Sequence, residues 1–166
     1  MILKGLVYKL PDNINTDLII SGRYKFAITD MRVLAAHVFE DYDPQLAKRL
    51  IPGQSIIVAG ENFGMGSSRE QAPLAMKYAG IIAVVAKNFS RIFYRNAFNI
   101  GLPLIETDTK NFKPGSQIEI DLERGILTDL TIRKNYRFKP LPLFMRTLLK
   151  DGGLVEHFKK HGKLNL

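Results

Sequence analysis

Apolar positions in the centre of the chain form short continuous runs, at residues 55–59, 81–86 and 102–106. Continuous apolar runs are typical of strands that are buried on both faces, as in a parallel sheet. The segments between the runs have helical spacing and predict helices over residues 69–79 and 90–100. This β-α-β-α-β alternation predicts a parallel sheet with helices packed on it.

The flanking segments follow other patterns. Residues 117–122 alternate apolar and polar, and the turn at Arg124-Gly125 leads into a second such run, which predicts antiparallel strands. We therefore expect an α/β fold with a mixed, partly parallel sheet and a single domain over residues 1–166. Further elements are a strand at 2–8 and helices at 31–40 (capped by Asp30), 45–50, from Pro142 to Gly152, and 154–161.

Composition excludes several classes of protein. The chain has no cysteine, so it forms no disulfide, no thiolate zinc site and no iron–sulfur cluster of its own. No apolar run approaches about 18 residues, and the first residues do not match a secretory leader. These features predict a cytoplasmic protein without a membrane span.

The formal charge of +8 indicates an anionic partner or a solvated basic surface. Lys and Arg are spread along the chain, and only Lys159, Lys160 and Lys163 lie together. A nucleic-acid-binding protein usually has a tighter basic stripe or a named motif. We expect no nucleic acid, and a basic non-catalytic binding domain remains a remote alternative.

The densest functional pattern is the loop from Gly60 to Glu70, which has three glycines within seven residues. It follows a predicted strand and precedes a predicted helix, where free N–H groups favour an anion. Glycine allows positive φ and close backbone approach. Gly64 and Gly66 are therefore candidate anion-binding positions.

Two interpretations of this loop are open. Ser67 with Glu70, and Ser68 with Gln71, have the spacing of a capping box, which would make the loop purely structural. Arg69 favours function, because a cation in the first turn of a helix opposes the macrodipole. A guanidinium can also hold a carboxylate by two parallel hydrogen bonds.

Other motifs are absent or ambiguous. The loop lacks the Gly-Lys-Ser/Thr ending of a phosphate-binding P-loop and the third glycine of a dinucleotide fingerprint. It also lacks the Gly-x-Ser-x-Gly motif of a serine-hydrolase elbow. We assign His37 to a helix face, and His157 and His161 to the surface. Three basic side chains are spaced by four residues and form a solvated face or dock a partner: Lys87, Arg91 and Arg95.

Three segments together resemble the swivel domain of the aconitase superfamily: residues 60–73, 86–96 and 101–105. As a free chain of this length, the sequence is similar to the small subunits of 3-isopropylmalate dehydratase and homoaconitase. Asn15-Thr16-Asp17 matches an early signature of the same family. The resemblance extends over about residues 2–162.

The resemblance implies a hydro-lyase that removes and re-adds water on a hydroxy acid. It implies that a large subunit carries a [4Fe–4S] cluster, that this chain binds no cofactor, and that the two form a heterodimer or heterotetramer. Carried over by position, Ser67 is the catalytic base, acting as an alkoxide. Arg69 grips a substrate carboxylate, with Ser68 at the same group.

The resemblance also implies a substrate-facing loop, which begins after Gly22-Arg23 and contains Tyr24, Lys25, Phe26 and Ala27. Phe26 favours the isopropyl group of isopropylmalate, a leucine precursor, because an apolar side chain leaves a carboxylate unpaired. Lys25 could supply charge from the next position, so a homoaconitase of lysine biosynthesis stays open, as does simple surface variation. Gln71 replaces a histidine usual in relatives, with little expected effect.

Overall fold

One seven-stranded sheet organises the protein in the computed structural model, which describes residues 1–24, 27–67 and 69–163. Across the sheet the strands lie in the order β4-β3-β2-β1-β5-β6-β7. In chain order they are β1 (Ile2–Lys9), β2 (Ser55–Val58), β3 (Ile81–Ala86), β4 (Leu104–Glu106), β5 (Gln117–Asp121), β6 (Ile126–Asp129) and β7 (Lys134–Arg137).

Half of the sheet is parallel and half is antiparallel. Strands β1 to β4 pair in parallel, and β5, β6 and β7 continue from β1 in antiparallel register. Every residue of β2 is buried, whereas burial alternates along β5, as the two patterns in the sequence predict. The predicted α/β fold with a mixed, partly parallel sheet is confirmed.

The helices are short, and several begin or end at the expected residue. Ser90 caps α5 by accepting from the N–H of Phe93, and Gly152 ends α6 with a φ of 95°. They are α1 (Thr16–Ile19), α2 (Met31–Ala35), α3 (Leu46–Arg49), α4 (Gln71–Tyr78), α5 (Arg91–Asn99), α6 (Leu143–Asp151) and α7 (Leu154–His161), with a 3₁₀ turn at Gly22–Tyr24.

Helix α2 and strand β7 differ from expectation. The helix predicted over residues 31–40 ends at Ala35, because Phe39 adopts a φ of 60° and donates its N–H to the Ile19 carbonyl at 2.8 Å. That bond and the burial of Phe39 replace further helical turns. Strand β7 was not expected, since only Tyr136 of its four residues is buried.

The C-terminal helices α6 and α7 are joined by a charged cluster around Asp151. Its carboxylate lies 2.7 Å from Nδ1 of His157 and 3.0 Å from Nε2 of His161, and Lys160 contacts its other oxygen at 3.0 Å. The assignment of His157 to the surface is wrong, because this side chain is only 2 % exposed. Its carboxylate partner lies six residues back, across the turn between the helices. Within the described ranges, no helix has the length and apolarity to cross a bilayer.

Candidate active site

The glycine-rich loop after β2 lies against the segment that follows β1. The Gly64 N–H donates to the Ile14 carbonyl at 2.7 Å, and the Thr16 N–H donates to the Met65 carbonyl at 2.9 Å. Asn15 and Met65 thereby form a parallel bridge. Two segments that are far apart in sequence therefore define the loop together.

The glycines shape this loop in different ways. Gly64 has a φ of 76°, and a Cβ there would lie 2.2 Å from Cγ of Phe93. Its missing side chain thus makes room for Phe93, and its N–H is already bonded to Ile14. Gly66 has a φ of 99° with only ordinary contacts around it, so it serves the backbone turn before Ser67.

Ser67 is exposed and does not cap the following helix. Helix α4 begins at Gln71, and its N-cap residue is Glu70, which forms no side-chain capping bond. The capping-box interpretation is therefore wrong for Ser67 with Glu70, and Ser68 lies outside the described residues. The Ser67 carbonyl accepts from Oγ1 of Thr16 at 3.1 Å and from the N–H of Arg69 at 2.8 Å. These bonds hold the backbone at Ser67 through its carbonyl.

Arg69 lies ahead of helix α4, and not in its first turn as expected. Its side chain is 15 % exposed, and Nη1 contacts Oδ1 of Asp17 at 2.5 Å and the Ile20 carbonyl at 3.2 Å. The carboxylate of Asp17 therefore balances the charge of Arg69, whose place near the start of a helix the sequence pattern did not explain. Asp17 is the member of the candidate site that sequence reasoning missed, although the Asn15-Thr16-Asp17 tripeptide marked its position.

The guanidinium of Arg69 keeps hydrogen-bonding capacity. Arginine has five N–H donors, and the two bonds described here use only Nη1. Its Nε is buried and has no partner within the part of the chain that the structure describes. Asp17 is 56 % exposed, so the pair opens toward solvent on the acidic side. An anion that approaches Arg69 can therefore still find donors.

The expected substrate-facing loop starts beside Arg69. A Cβ on Gly22 would lie 3.6 Å from Nη2 of Arg69, so the two residues are in near contact. Lys25 and Phe26 lie outside the described residues. Ala27 is exposed, and its N–H donates to the Tyr24 carbonyl at 3.2 Å.

Tyr24 is fixed by two side chains of the segment that follows α2. Its hydroxyl donates to Oε2 of Glu40 at 2.9 Å, and its ring stacks on His37 with centroids 4.1 Å apart. His37 itself contacts the same Oε2 at 2.5 Å. The bond to Glu40 raises the pKa of Tyr24, and the bonds from His37 and Tyr24 lower the pKa of Glu40. The Tyr24 hydroxyl is thus already engaged, and the stack positions the start of the loop.

A groove lies beside Arg69, between α2, α4 and α5. It has a volume of about 510 Å³ and is lined by Arg69, Gln71, Ile92, Arg95 and the buried Asn96, among others. Ser67 does not line it. Arg69 therefore belongs both to the loop of the exposed Ser67 and to the wall of this groove.

Only one group of described residues offers three close ligand atoms for a metal ion, the cluster of Asp151, His157 and His161. Lys160 already supplies a cation to the same carboxylate, and these bonds hold the pKa of Asp151 well below its usual range. As it stands, the cluster is an ion-pair network that links α6 to α7.

The fold and the loop geometry define a class of protein. Residues 12–110 match the model of the aconitase C-terminal domain, which covers more than half of the chain. The chain belongs to the aconitase C-terminal domain family.

Relatives of the chain are named as small subunits of 3-isopropylmalate dehydratase and of homoaconitase. The chain is 49 % identical to 3-isopropylmalate dehydratase small subunit 2 of Archaeoglobus fulgidus, over 100 % of both chains. It is also 48 % identical to the methanogen homoaconitase small subunit of Methanothermobacter thermautotrophicus, over 96 % of this chain and 92 % of that one. The crystal structure of 3-isopropylmalate dehydratase from Methanocaldococcus jannaschii superposes with a TM-score of 0.92 at 44 % identity, over 98 % of this chain and 96 % of that chain.

Proposed function

We propose that this chain is the small subunit of a 3-isopropylmalate dehydratase, which interconverts 2- and 3-isopropylmalate in leucine biosynthesis. The observation that carries the proposal is the pairing of an exposed Ser67 with a shielded Arg69 on one loop. The family and the names of full-length relatives support the reaction class. We place the protein in the cytoplasm and treat residues 1–166 as one domain.

Ser67 acts in this proposal as the base that moves the substrate proton. A serine hydroxyl is a very weak acid, so its alkoxide needs stabilisation. The loop precedes the N-terminus of α4, where N–H groups without helical partners favour negative charge. Gly66, with a φ of 99°, allows the backbone turn immediately before the serine.

Arg69 binds one carboxylate of the substrate. Asp17 and the Ile20 carbonyl fix its guanidinium, which reduces the side-chain entropy lost on binding. The remaining donors suit a bidentate carboxylate contact. We place Ser68 at the same group.

The loop of Tyr24, Lys25, Phe26 and Ala27 selects the other end of the substrate. An isopropyl group is favoured by Phe26, whereas a tricarboxylate would leave a charged group against an apolar ring. A homoaconitase remains the second candidate, because one relative bears that name at almost the same identity.

A large subunit completes the site in this proposal. This chain has no cysteine, so its residues cannot ligate an iron–sulfur cluster through thiolates. A [4Fe–4S] cluster on the large subunit would supply Lewis acidity at the substrate hydroxyl. The small subunit contributes the base, the carboxylate contact and part of the substrate loop.

An anaerobic assay tests the proposal. This chain is combined with its large subunit, and the ultraviolet absorbance of the unsaturated product is followed with 3-isopropylmalate and with homoisocitrate. Ser67→Ala is expected to lower kcat by about 10²- to 10⁴-fold, the usual contribution of an acid–base group. Complex formation with the large subunit should not change.

Other outcomes have clear meanings. A preference for homoisocitrate would replace the dehydratase assignment by homoaconitase. If Ser67→Ala is as active as wild type, Ser67 is not the catalytic base. No activity with an intact cluster-loaded large subunit would contradict the proposal and favour a binding function.

A further inference from the structure

The groove between α2, α4 and α5 includes Arg69, and its other lining residues have no role in the proposed chemistry. Its volume is about 510 Å³, and it is open to solvent. Asn96 ends the segment 86–96, one of those that resemble the aconitase superfamily, and it lies buried in the groove wall. The groove therefore joins the candidate active site to the outer face of α5.

The outer face of α5 combines an apolar side chain with two cations. Arg91, Ile92 and Arg95 are all exposed, and Ile92 is 44 % exposed. Among the described residues, neither Arg91 nor Arg95 pairs with a carboxylate, unlike the arginines that form ion pairs elsewhere in the chain. An apolar centre flanked by unpaired arginines is typical of a protein interface.

The position of Ser67 indicates what covers this face. Ser67 is exposed, and the neighbouring Met65 is 41 % exposed. A proton transfer to a charged substrate needs a site that excludes water, so another chain must close over this loop. Because the groove starts at Arg69, a chain that closes the site also lies over the groove and the near face of α5.

We propose that Arg91, Ile92 and Arg95 form the surface on which the large subunit docks. The inference rests on the proposed function. The partner presents an apolar side chain to Ile92 and carboxylates to the two arginines. The solvated-face interpretation of these arginines is replaced by a docking role, and the unpaired positive charge also speeds association.

Binding of the purified, cluster-loaded large subunit tests the proposal. Ile92→Asp is expected to raise Kd by about 30-fold or more, since it puts a charge at the centre of the interface. Arg95→Glu is expected to raise Kd by about tenfold and to reduce the dependence of association rate on salt.

The far end of the sheet supplies matched controls. Ile132 follows β6 and is 49 % exposed, and Arg137 is an exposed arginine on β7. Ile132→Asp and Arg137→Glu should leave Kd within about twofold of wild type. Thermal melting checks the folding of every variant, and Ile92→Ala gives a milder change if Ile92→Asp does not fold.

The outcomes separate the docking surface from the proposed function. At saturating large subunit, Ile92→Ala should retain kcat within about twofold, because Ile92 takes no part in the chemistry. Wild-type Kd for the folded α5 variants, or equal weakening by the controls, would overturn the docking surface alone. If the wild-type chain forms no complex, both the docking surface and the proposed function are wrong.

Discussion

Two arginines in this protein are held in almost the same way, one in the candidate site and one in the C-terminal helices. Arg69 is 15 % exposed and contacts Asp17 at 2.5 Å, and Arg146 is 22 % exposed and contacts Glu123 at 3.0 Å. In both, the acid is more than half exposed and Nε is buried without a partner among the described residues. An ion pair of this kind is therefore not a mark of function by itself.

The neighbours of the two arginines make the difference. Arg69 shares a loop with the exposed Ser67 and donates a second hydrogen bond to the Ile20 carbonyl. Arg146 extends from the surface of α6 toward the turn between β5 and β6. A shielded guanidinium becomes a binding group only where a reactive side chain and an open surface lie beside it.

The largest difference between the two arginines should appear in kcat/KM when each is replaced by lysine. Arg69→Lys is expected to lower kcat/KM of the assembled enzyme by about 10²-fold, because an ammonium cannot make the planar bidentate contact. Steady-state kinetics with and without the substitution measure the loss. Arg146→Lys is the control and should leave kcat/KM within about twofold. Equal losses for the two variants would place the effect in folding and not in the site.

Substitutions of the acidic partners, Asp17 and Glu123, should differ less in their effect on KM. Asp17→Asn keeps an oxygen near Arg69 but removes the charge that fixes the guanidinium. We expect KM to rise roughly three- to tenfold, which corresponds to the net contribution of one ordinary hydrogen bond, about 0.5–1.5 kcal/mol. Glu123→Gln should not change KM. If Asp17→Asn has wild-type kinetics, the Ile20 carbonyl is sufficient to position Arg69.

The C-terminal region should affect stability and not catalysis. Hydrogen bonds from His157 and then Lys160 keep the pKa of Asp151 below its usual value of 3.8. The folded protein therefore keeps this carboxylate charged at pH values where the unfolded chain is protonated. The stabilisation is fully present above about pH 4 and is lost as the pH falls further.

Thermal melting of Asp151→Asn at several pH values measures this effect. The variant should have a lower Tm than wild type near neutral pH, and the difference should shrink as the pH falls below 4. Activity at 25 °C should not change, since the cluster lies outside the candidate site. A constant difference in Tm at every pH would show that the carboxylate charge is irrelevant.

Local patterns predicted the centre of the fold well. Continuous apolar runs identified β2, β3 and β4, because buried parallel strands need apolar residues on both faces. Strand β7 escaped prediction, since its one buried side chain, Tyr136, packs against Phe112 from a distant segment with centroids 4.5 Å apart. The early end of α2 depends in the same way on the bond from Phe39 to Ile19.

The candidate site was only partly visible in the sequence. The loop pattern and the family resemblance indicated Ser67 and Arg69, while the chemistry of both remains a proposal. The contact with Asp17 could not be derived, because it joins segments that only the parallel pairing of β1 and β2 brings together. The burial of His157 likewise depends on the packing of α7 against α6.

The bridge between Asn15 and Met65 has a consequence for how the protein opens locally. The amides of Gly64 and Thr16 donate across it in opposite directions, so neither segment can leave while the other stays bonded. Both amides should then exchange their hydrogens with solvent at one common rate, set by the free energy of a shared opening. A carboxylate that binds Arg69 only in the closed form would slow both together. The free energy of local opening at the site would thus rise with substrate concentration.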